Sequence, residues 1–367
     1  MRTSVRKHMV HMCTIAKRAR LQLGANLMKA APMTTSKNRQ VVLASRPEGI
    51  PEAHHFRIVE APLPDRGPGQ VLVRNEFLSV EPAMRGWVNA VANYSEPVAI
   101  GAVMRAIAAG RVVASDDPTL PVGTAVTGMF GWQEWAAVDA SKVERIQETD
   151  LPLSTALGVL GINGVTAHYG LLKVGEPRAG ETVAVSTAAG AVGSCVGQIA
   201  RIVGCRTIGI TGGAAKRELC TRTFGYDAAV DYKAGDFATR LAEACAGGID
   251  VYFDNTAGAI SDAVLEHLKV GARVVVCGTA SVASWSPPPL GPRVERHLLV
   301  KRARMQGFVI LDHPEYYPVA RAELARWLRE GRVRYLEDVL EGIEHAPGAI
   351  AGLYRGENLG KRLIRLV

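Results

Sequence analysis

One uncharged, glycine-punctuated stretch, TVAVSTAAGAVGSCVGQIA at 182–200, constrains this chain more than any other. By length alone it could cross a bilayer. Its frequent Gly, Ser, Thr and Gln and the charged residue that follows, Arg201, argue against that. Thr182 to Ser186 carry β-branched residues and read as a strand. Val192, Cys195, Val196, Ile199 and Ile202 then recur at the spacing of one helix face. Between strand and helix lie Ala188, Gly190 and Gly193, an A-x-G-x-x-G corner. In that context Gly190 lets backbone approach a pyrophosphate, and Gly193 lets the helix sit close to the strand. The N–H groups that follow, from Ala191 and Val192 onward, offer unpaired donors to phosphate. The other reading is a plain buried strand–helix unit in which small residues serve packing.

The second strand bears on which nucleotide would bind. Chains that take the unphosphorylated nucleotide place an acid there for the ribose hydroxyls. After Ile210 this chain reads TGGAAKR, with no acid and with Lys216 and Arg217 following. A carboxylate would repel a 2′-phosphate and Lys216 would attract it, so NADPH is expected over NADH. Lys216 also reads as an ordinary exposed helix lysine.

Around this corner, apolar strands alternate with helical patterns from about 155 to 312, which predicts a parallel sheet with crossover helices. The expected strands are 182–186, 206–210, 228–231, 250–253, 273–276 and 306–311. From about 38 to 150 short β-rich runs are broken by Gly and Pro, as in RQVVLAS, QVLVRNEFLSV, AIAAGRVVAS and TAVTGMF, suiting a small all-β unit. A helix is expected within 316–333, with Val319, Leu324, Trp327 and Leu328 near helical spacing. The terminal KRLIRLV reads as a strand returning to the first unit.

The formal charge of +8 raises the question of a nucleic-acid partner. Eight of the 43 basic residues fall in 1–37, which hold no acid; the remaining 35 balance the 35 acidic residues. The body is therefore neutral and lacks a basic footprint for nucleic acid. The basic head reads as disordered or as an over-extended start, Met33 being the natural beginning, with a transit peptide the other reading. The six cysteines form no C-x-x-C pair and no secretory signal precedes them, so a cytoplasmic setting is expected.

Together with GVTAHYGLL, VDYK, FDNTAG, CGTAS, GFVI and GENLGK, the glycine corner resembles the medium-chain dehydrogenase/reductase superfamily. The resemblance is to its zinc-independent branch of leukotriene, prostaglandin and curcumin-type enone reductases, and covers residues 38–367. It implies an α/β protein with a Rossmann cofactor domain at 156–312 and a GroES-like β-barrel catalytic domain at 38–155 plus 313–367. It also implies an NADPH cradle of Gly190, Ala191, Val192 and Gly193, with Lys216 on the 2′-phosphate and Tyr232 beside the adenosine end. Asn255 and Cys277, Gly278, Thr279, Ala280 and Ser281 would line the cofactor. Thr166, Phe308, Val309 and Asn358 would border the nicotinamide. Asn255 and Asn358 also read as turn-stabilising residues.

No metal is expected: the only cysteine before Cys195 is Cys13, and no G-H-E occurs. Hydride transfer to an activated C=C bond needs only donors for the enolate oxygen and a proton for the α-carbon. The resemblance assigns Tyr94 to the enone carbonyl. Other aromatic hydroxyls of the pattern are replaced, by Ala83, His168 and Ala283, and Asn163 stands where the pattern has proline. His168 reads as a packed histidine or as a substitute proton donor. The expected activity is NADPH-dependent reduction of α,β-unsaturated ketones or aldehydes. The alternatives are a quinone reductase and a low-turnover NADPH-binding sensor. A homodimer is what the resemblance suggests, with neither membrane nor nucleic acid as partner.

Overall fold

Parallel strands buried on both faces need apolar residues at consecutive positions, and the strand Thr182–Ser186 is buried at all five. The computed structural model describes residues 37–90, 95–282, 287 and 289–367, of which Asn38–Val367 form one compact unit. The N-terminal strands are β1 (Lys37–Leu43), β2 (Phe56–Pro62), β3 (Gln70–Ser79), β4 (Ala108–Ala114), β5 (Ala125–Gly128), β6 (Trp135–Asp139) and β7 (Glu144–Arg145). There follow β8 (Thr182–Ser186), β9 (Arg206–Thr211), β10 (Ala228–Asp231), β11 (Ile249–Asp254), β12 (Leu268–Val276) and β13 (Arg304–Gly307). The chain ends with β14 (Glu337–Glu341) and β15 (Lys361–Arg365). The helices used below are α1 (Met84–Trp87), α2 (Ile162–Tyr169), α3 (Ala191–Val203), α4 (Ala214–Glu218), α5 (Tyr317–Arg329) and α6 (Ala346–Arg355).

β8 to β13 form one all-parallel sheet in the order β10-β9-β8-β11-β12-β13. The order reverses direction between β8 and β11, and ligands of such sheets bind at the carboxyl ends beside that switch point. This is the expected Rossmann architecture. The second large sheet runs β14-β15-β3-β4-β5-β7, with β6 also on β3. The C-terminal strand does return: β15 pairs antiparallel with β3, Leu363 opposite Ser79 and Ile364 opposite Leu78. Val41, Val71, Val73, Leu78 and Trp132 fill the core of this sheet unit.

Two expectations are corrected. The strand expected at 306–311 is β13, Arg304–Gly307, because pairing stops where Gly307 meets Val276, the last residue of β12. Phe308 then turns inward against Gly170, and Ile310–Asp312 form a 3-10 turn. Val319 is 55% exposed; the buried stripe of α5 is Ala320, Leu324 and Trp327, a shift of one residue that puts i, i+4 and i+7 inward. Leu324 and Trp327 pack with Val185, Ile199 and Val251 of the parallel-sheet core. Among the described residues no helix is long and apolar enough to cross a membrane.

Candidate active site

The site begins where β8 ends. Thr187 takes a left-handed φ of 53°, turning the chain toward Gly190, which opens α3 at φ −82°. A Cβ on Gly193 would run into the Thr187 carbonyl oxygen and Ala188 Cα, and one on Gly190 would lie 2.9 Å from Thr187 Cγ2. Only glycines let helix and strand end approach so closely. The Tyr226 hydroxyl donates to the Gly193 carbonyl at 2.6 Å, holding the corner from behind. No side chain caps α3. Its first turn, from Ala191 and Val192, thus has no side-chain cap, and the helix dipole there favours an anion.

The carboxyl ends of β9 and β10 carry a second feature. Gly213 at φ 91° starts α4, and the Tyr232 ring covers Gly212, where a Cβ would lie 2.9 Å from it. Lys216 and Lys233 converge over Gly356: a Cβ there would be 3.5 Å from one Nζ and 4.0 Å from the other. Among the described residues neither lysine has a carboxylate within ion-pairing distance. The nearby acid, Asp231, is occupied by the turn, accepting from the N–H groups of Gly213 (2.7 Å) and Lys233 (2.9 Å). Burial lowers the Lys216 ammonium below its ordinary value, and Lys233 and Arg362 push the same way against the opposing pull of Asp338. A dianion placed there would relieve that repulsion. Sequence reading missed Lys233, although it closes the VDYK run that supplied Tyr232.

Across the switch point, Asn255 joins β11 to β8: its N–H donates to Ser186 Oγ at 2.8 Å and its amide to the Ser186 carbonyl at 2.7 Å. Asp254, also missed, is a buried organiser that accepts from Tyr252 (3.0 Å), Ser261 (2.5 Å), Thr256 N–H (2.9 Å) and Ala257 N–H (3.0 Å). The Asp254 carbonyl accepts from Cys277 and Gly278, and that of Asn255 from Ala280. Ser281 Oγ donates to the Thr256 and Ala257 carbonyls, and the Thr279 carbonyl accepts from Val282. The 277–281 loop is thereby stitched to the end of β11. Burial pushes the Cys277 thiol up to about 12, with Asp254 adding to the effect. Cys277 is thus a protonated thiol at neutral pH.

The C-terminal segment reaches the corner directly. Gly360 donates from its N–H to Ala189 O at 3.2 Å and bridges Gly190, while the Asn358 amide donates to Gly360 O at 2.7 Å. Phe308 packs on Gly170 and lies 5.7 Å from the Tyr169 ring; Val309 follows it in extended backbone. Thr166 is half-buried on α2, which packs against α3. Asn358 is therefore tied to the glycine corner through Gly360, and Asn255 with the 277–281 loop is tied to Ser186 at the end of β8, four residues before Gly190. Lys216 and Tyr232 stand on the β9–β10 side, and Thr166, Phe308 and Val309 on the α2–β13 side. Tyr94 and Ala283 lie outside the described residues. His168 is packed: it is 1% exposed, stacks on Trp327 and meets Tyr316 Oη (3.0 Å) and Glu323 Oε2 (2.8 Å).

Fold and corner together define an oxidoreductase-type chain, a Rossmann sheet partnered by a second β-sheet unit. The family model described as the N-terminal domain of oxidoreductase matches residues 39–146, and that described as zinc-binding dehydrogenase matches 191–326. The NADPH-dependent curcumin reductase of Escherichia coli is 41% identical over 335 residues, 90% of this chain and 97% of that protein. The NADP-dependent 2-alkenal reductase of Nicotiana tabacum is 36% identical over 334 residues, 89% and 97% of the two chains. The crystal structure of CurA from Vibrio vulnificus in complex with NADPH matches at a TM-score of 0.86 and 40% identity, covering 90% of this chain and 99% of that one. The chain belongs to the medium-chain dehydrogenase/reductase superfamily, in its enone reductase branch. Zinc, which one family description names, does not fit the donors: no three His, Cys, Asp or Glu converge among the described residues.

Proposed function

We propose that the protein is an NADPH-dependent reductase of the C=C bond of α,β-unsaturated ketones and aldehydes. The observation that carries this reading is the uncapped glycine corner with two lysines beyond it that lack a carboxylate partner. Similarity along nearly the whole chain to curcumin and 2-alkenal reductases supports the substrate class. NADPH supplies a hydride for the β-carbon when bound. The residues of this chain bind and orient: Gly190, Ala191, Val192 and Gly193 receive the pyrophosphate, Lys216 and Lys233 the 2′-phosphate, and Tyr232 the adenosine end. Asn255 and Cys277 to Ser281 line the strand ends; Thr166, Phe308, Val309 and Asn358 border the nicotinamide. The Tyr94 hydroxyl donates a hydrogen bond to the enone carbonyl as charge develops on its oxygen.

The catalytic unit is taken as 38–155 with 313–367, around a cofactor unit at 156–312, although α5 packs toward the parallel-sheet core. A cytoplasmic homodimer without nucleic-acid or membrane partners completes the proposal. The exposed Leu299 and Val300, beside the edge strand β13, support the dimer. The test is to mix protein and NADPH with panels of enones and quinones and follow the nicotinamide absorbance. Steady oxidation by enones is expected. Oxidation by quinones alone would reassign it as a quinone reductase, and tight binding without oxidation as a sensor.

A further inference from the structure

A buried polar cluster surrounds Lys361, the first residue of β15. Lys361 Nζ donates to Ser79 Oγ (2.7 Å), Val80 O (3.0 Å) and Glu81 Oε1 (2.6 Å), which uses all three of its protons. Ser79 donates in turn to Glu81 Oε1 at 2.6 Å, and the Asn163 amide donates to Glu81 Oε2 at 3.0 Å. Lys361 is 4% exposed, Glu81 6% and Asn163 7%. A buried ion pair is a weak source of stability, since desolvating both ions offsets most of their attraction. Asn163 adds to the burden: its Oδ1 is buried without a donor. Such an orphan is a cost rather than a gain, so the amide is not explained by stability. What the cluster does well is fix position.

Three segments are fixed by it. Lys361 directly follows Gly360, which is hydrogen-bonded to the glycine corner through Ala189 O. Asn163 lies in the first turn of α2, the helix that carries Thr166 one turn later. Glu81 follows β3 and leads into α1, whose Met84 N–H donates to the Glu81 carbonyl. A Cβ on Gly360 would collide with Leu336 O, so the strand holding Lys361 is seated closely where it passes the corner.

We infer that Glu81, held by Lys361 and gripping Asn163, is a positioning residue that sets where α2 stands relative to the glycine corner. This rests on the reductase reading above, because the distance it governs is that between Thr166 and the cofactor cradle. A small misplacement of reacting groups lowers a rate far more than it lowers affinity.

The test compares wild type, Asn163→Ala, and the charge-neutral double variant Glu81→Gln/Lys361→Met. Asn163→Ala keeps the Lys361–Glu81 ion pair but takes the donor from Glu81 Oε2, so a modest fall in Tm is expected; NADPH binding and a cooperative melt establish that it folds, and it remains informative if the double variant does not. For each, NADPH affinity is measured by calorimetry. The single-turnover rate with an enone is measured by stopped flow, using NADPH with and without deuterium at nicotinamide C4. Asn163→Ala should bind NADPH as wild type does, yet transfer hydride about tenfold or more slowly, with a full isotope effect. Wild-type rates in a folded Asn163→Ala protein would overturn the inference while leaving the reductase reading intact. If no enone of the panel causes the wild type to oxidise NADPH, both readings fall.

Discussion

At the scale of single residues, space and charge give separable effects. Gly193 has no room for a methyl group beside the Thr187 carbonyl, so Gly193→Ala must displace α3 from β8. The expected outcome is a loss of about 1–3 kcal/mol in denaturant unfolding and no detectable NADPH binding by calorimetry. Lys216→Ala should weaken NADPH about tenfold or more, the value of a hydrogen bond to a charged group, and leave NADH affinity nearly unchanged. Lys233→Ala should act in the same direction but less, since Lys233 is the more exposed of the two. If NADH proved the tighter ligand of the unaltered protein, the role of both lysines would be withdrawn. Tyr94→Phe should slow enone turnover and spare NADPH affinity; equal turnover would take Tyr94 out of the reaction. Lys216 was legible because a missing acid is visible in one short run. Lys233 and Asp254 were not: Lys233 meets Lys216 only where the chain passes at Gly356, and Asp254 is an organiser only once the turn after β11 folds its N–H and hydroxyl groups back onto the carboxylate.

At the scale of elements, α2 illustrates a histidine set by its neighbours. His168 on α2 faces Glu323 on α5, Tyr316 just before α5, and Lys173 beyond the end of α2. Burial lowers its pKa below 6.5, and Lys173 pushes the same way, against the opposing pull of Glu323. The folded state then binds this proton less readily than the unfolded chain. The stabilisation is complete above 6.5 and is lost as pH falls from there through the lower folded value. Melting temperature should therefore drop between pH 7.5 and 5.5 more steeply in the wild type than in His168→Gln. Parallel slopes would show that other groups dominate. Periodicity placed α3 and α5 well, since a helix face repeats every few residues. It misplaced Val319 by one position and extended β13 too far, because the exact facing and the last ladder bond depend on the neighbouring element.

At the scale of the whole molecule, a ligand that binds only the folded state must stabilise it. NADPH at about 100 times its Kd should add about 2.7 kcal/mol, read as a rise in Tm by calorimetry. NADH at the same concentration should add less. An equal rise with both nucleotides would count against phosphate recognition at the β9–β10 edge.

By itself the amino-acid sequence determined the parallel sheet, the glycine corner, the missing acid after β9 and the neutrality of the body. These are local properties: each is written within a few turns of chain, where strand and helix periodicity and glycine placement act. Only the tertiary structure decided which residues meet across long separations. Lys361 reaches Glu81 across 280 residues, Gly360 reaches Ala189, and Asn163 donates to a carboxylate 82 residues away. No short-range pattern specifies such partners, because a buried polar group is satisfied by whatever the fold brings beside it, and the fold is set by the burial of apolar surface along the entire chain.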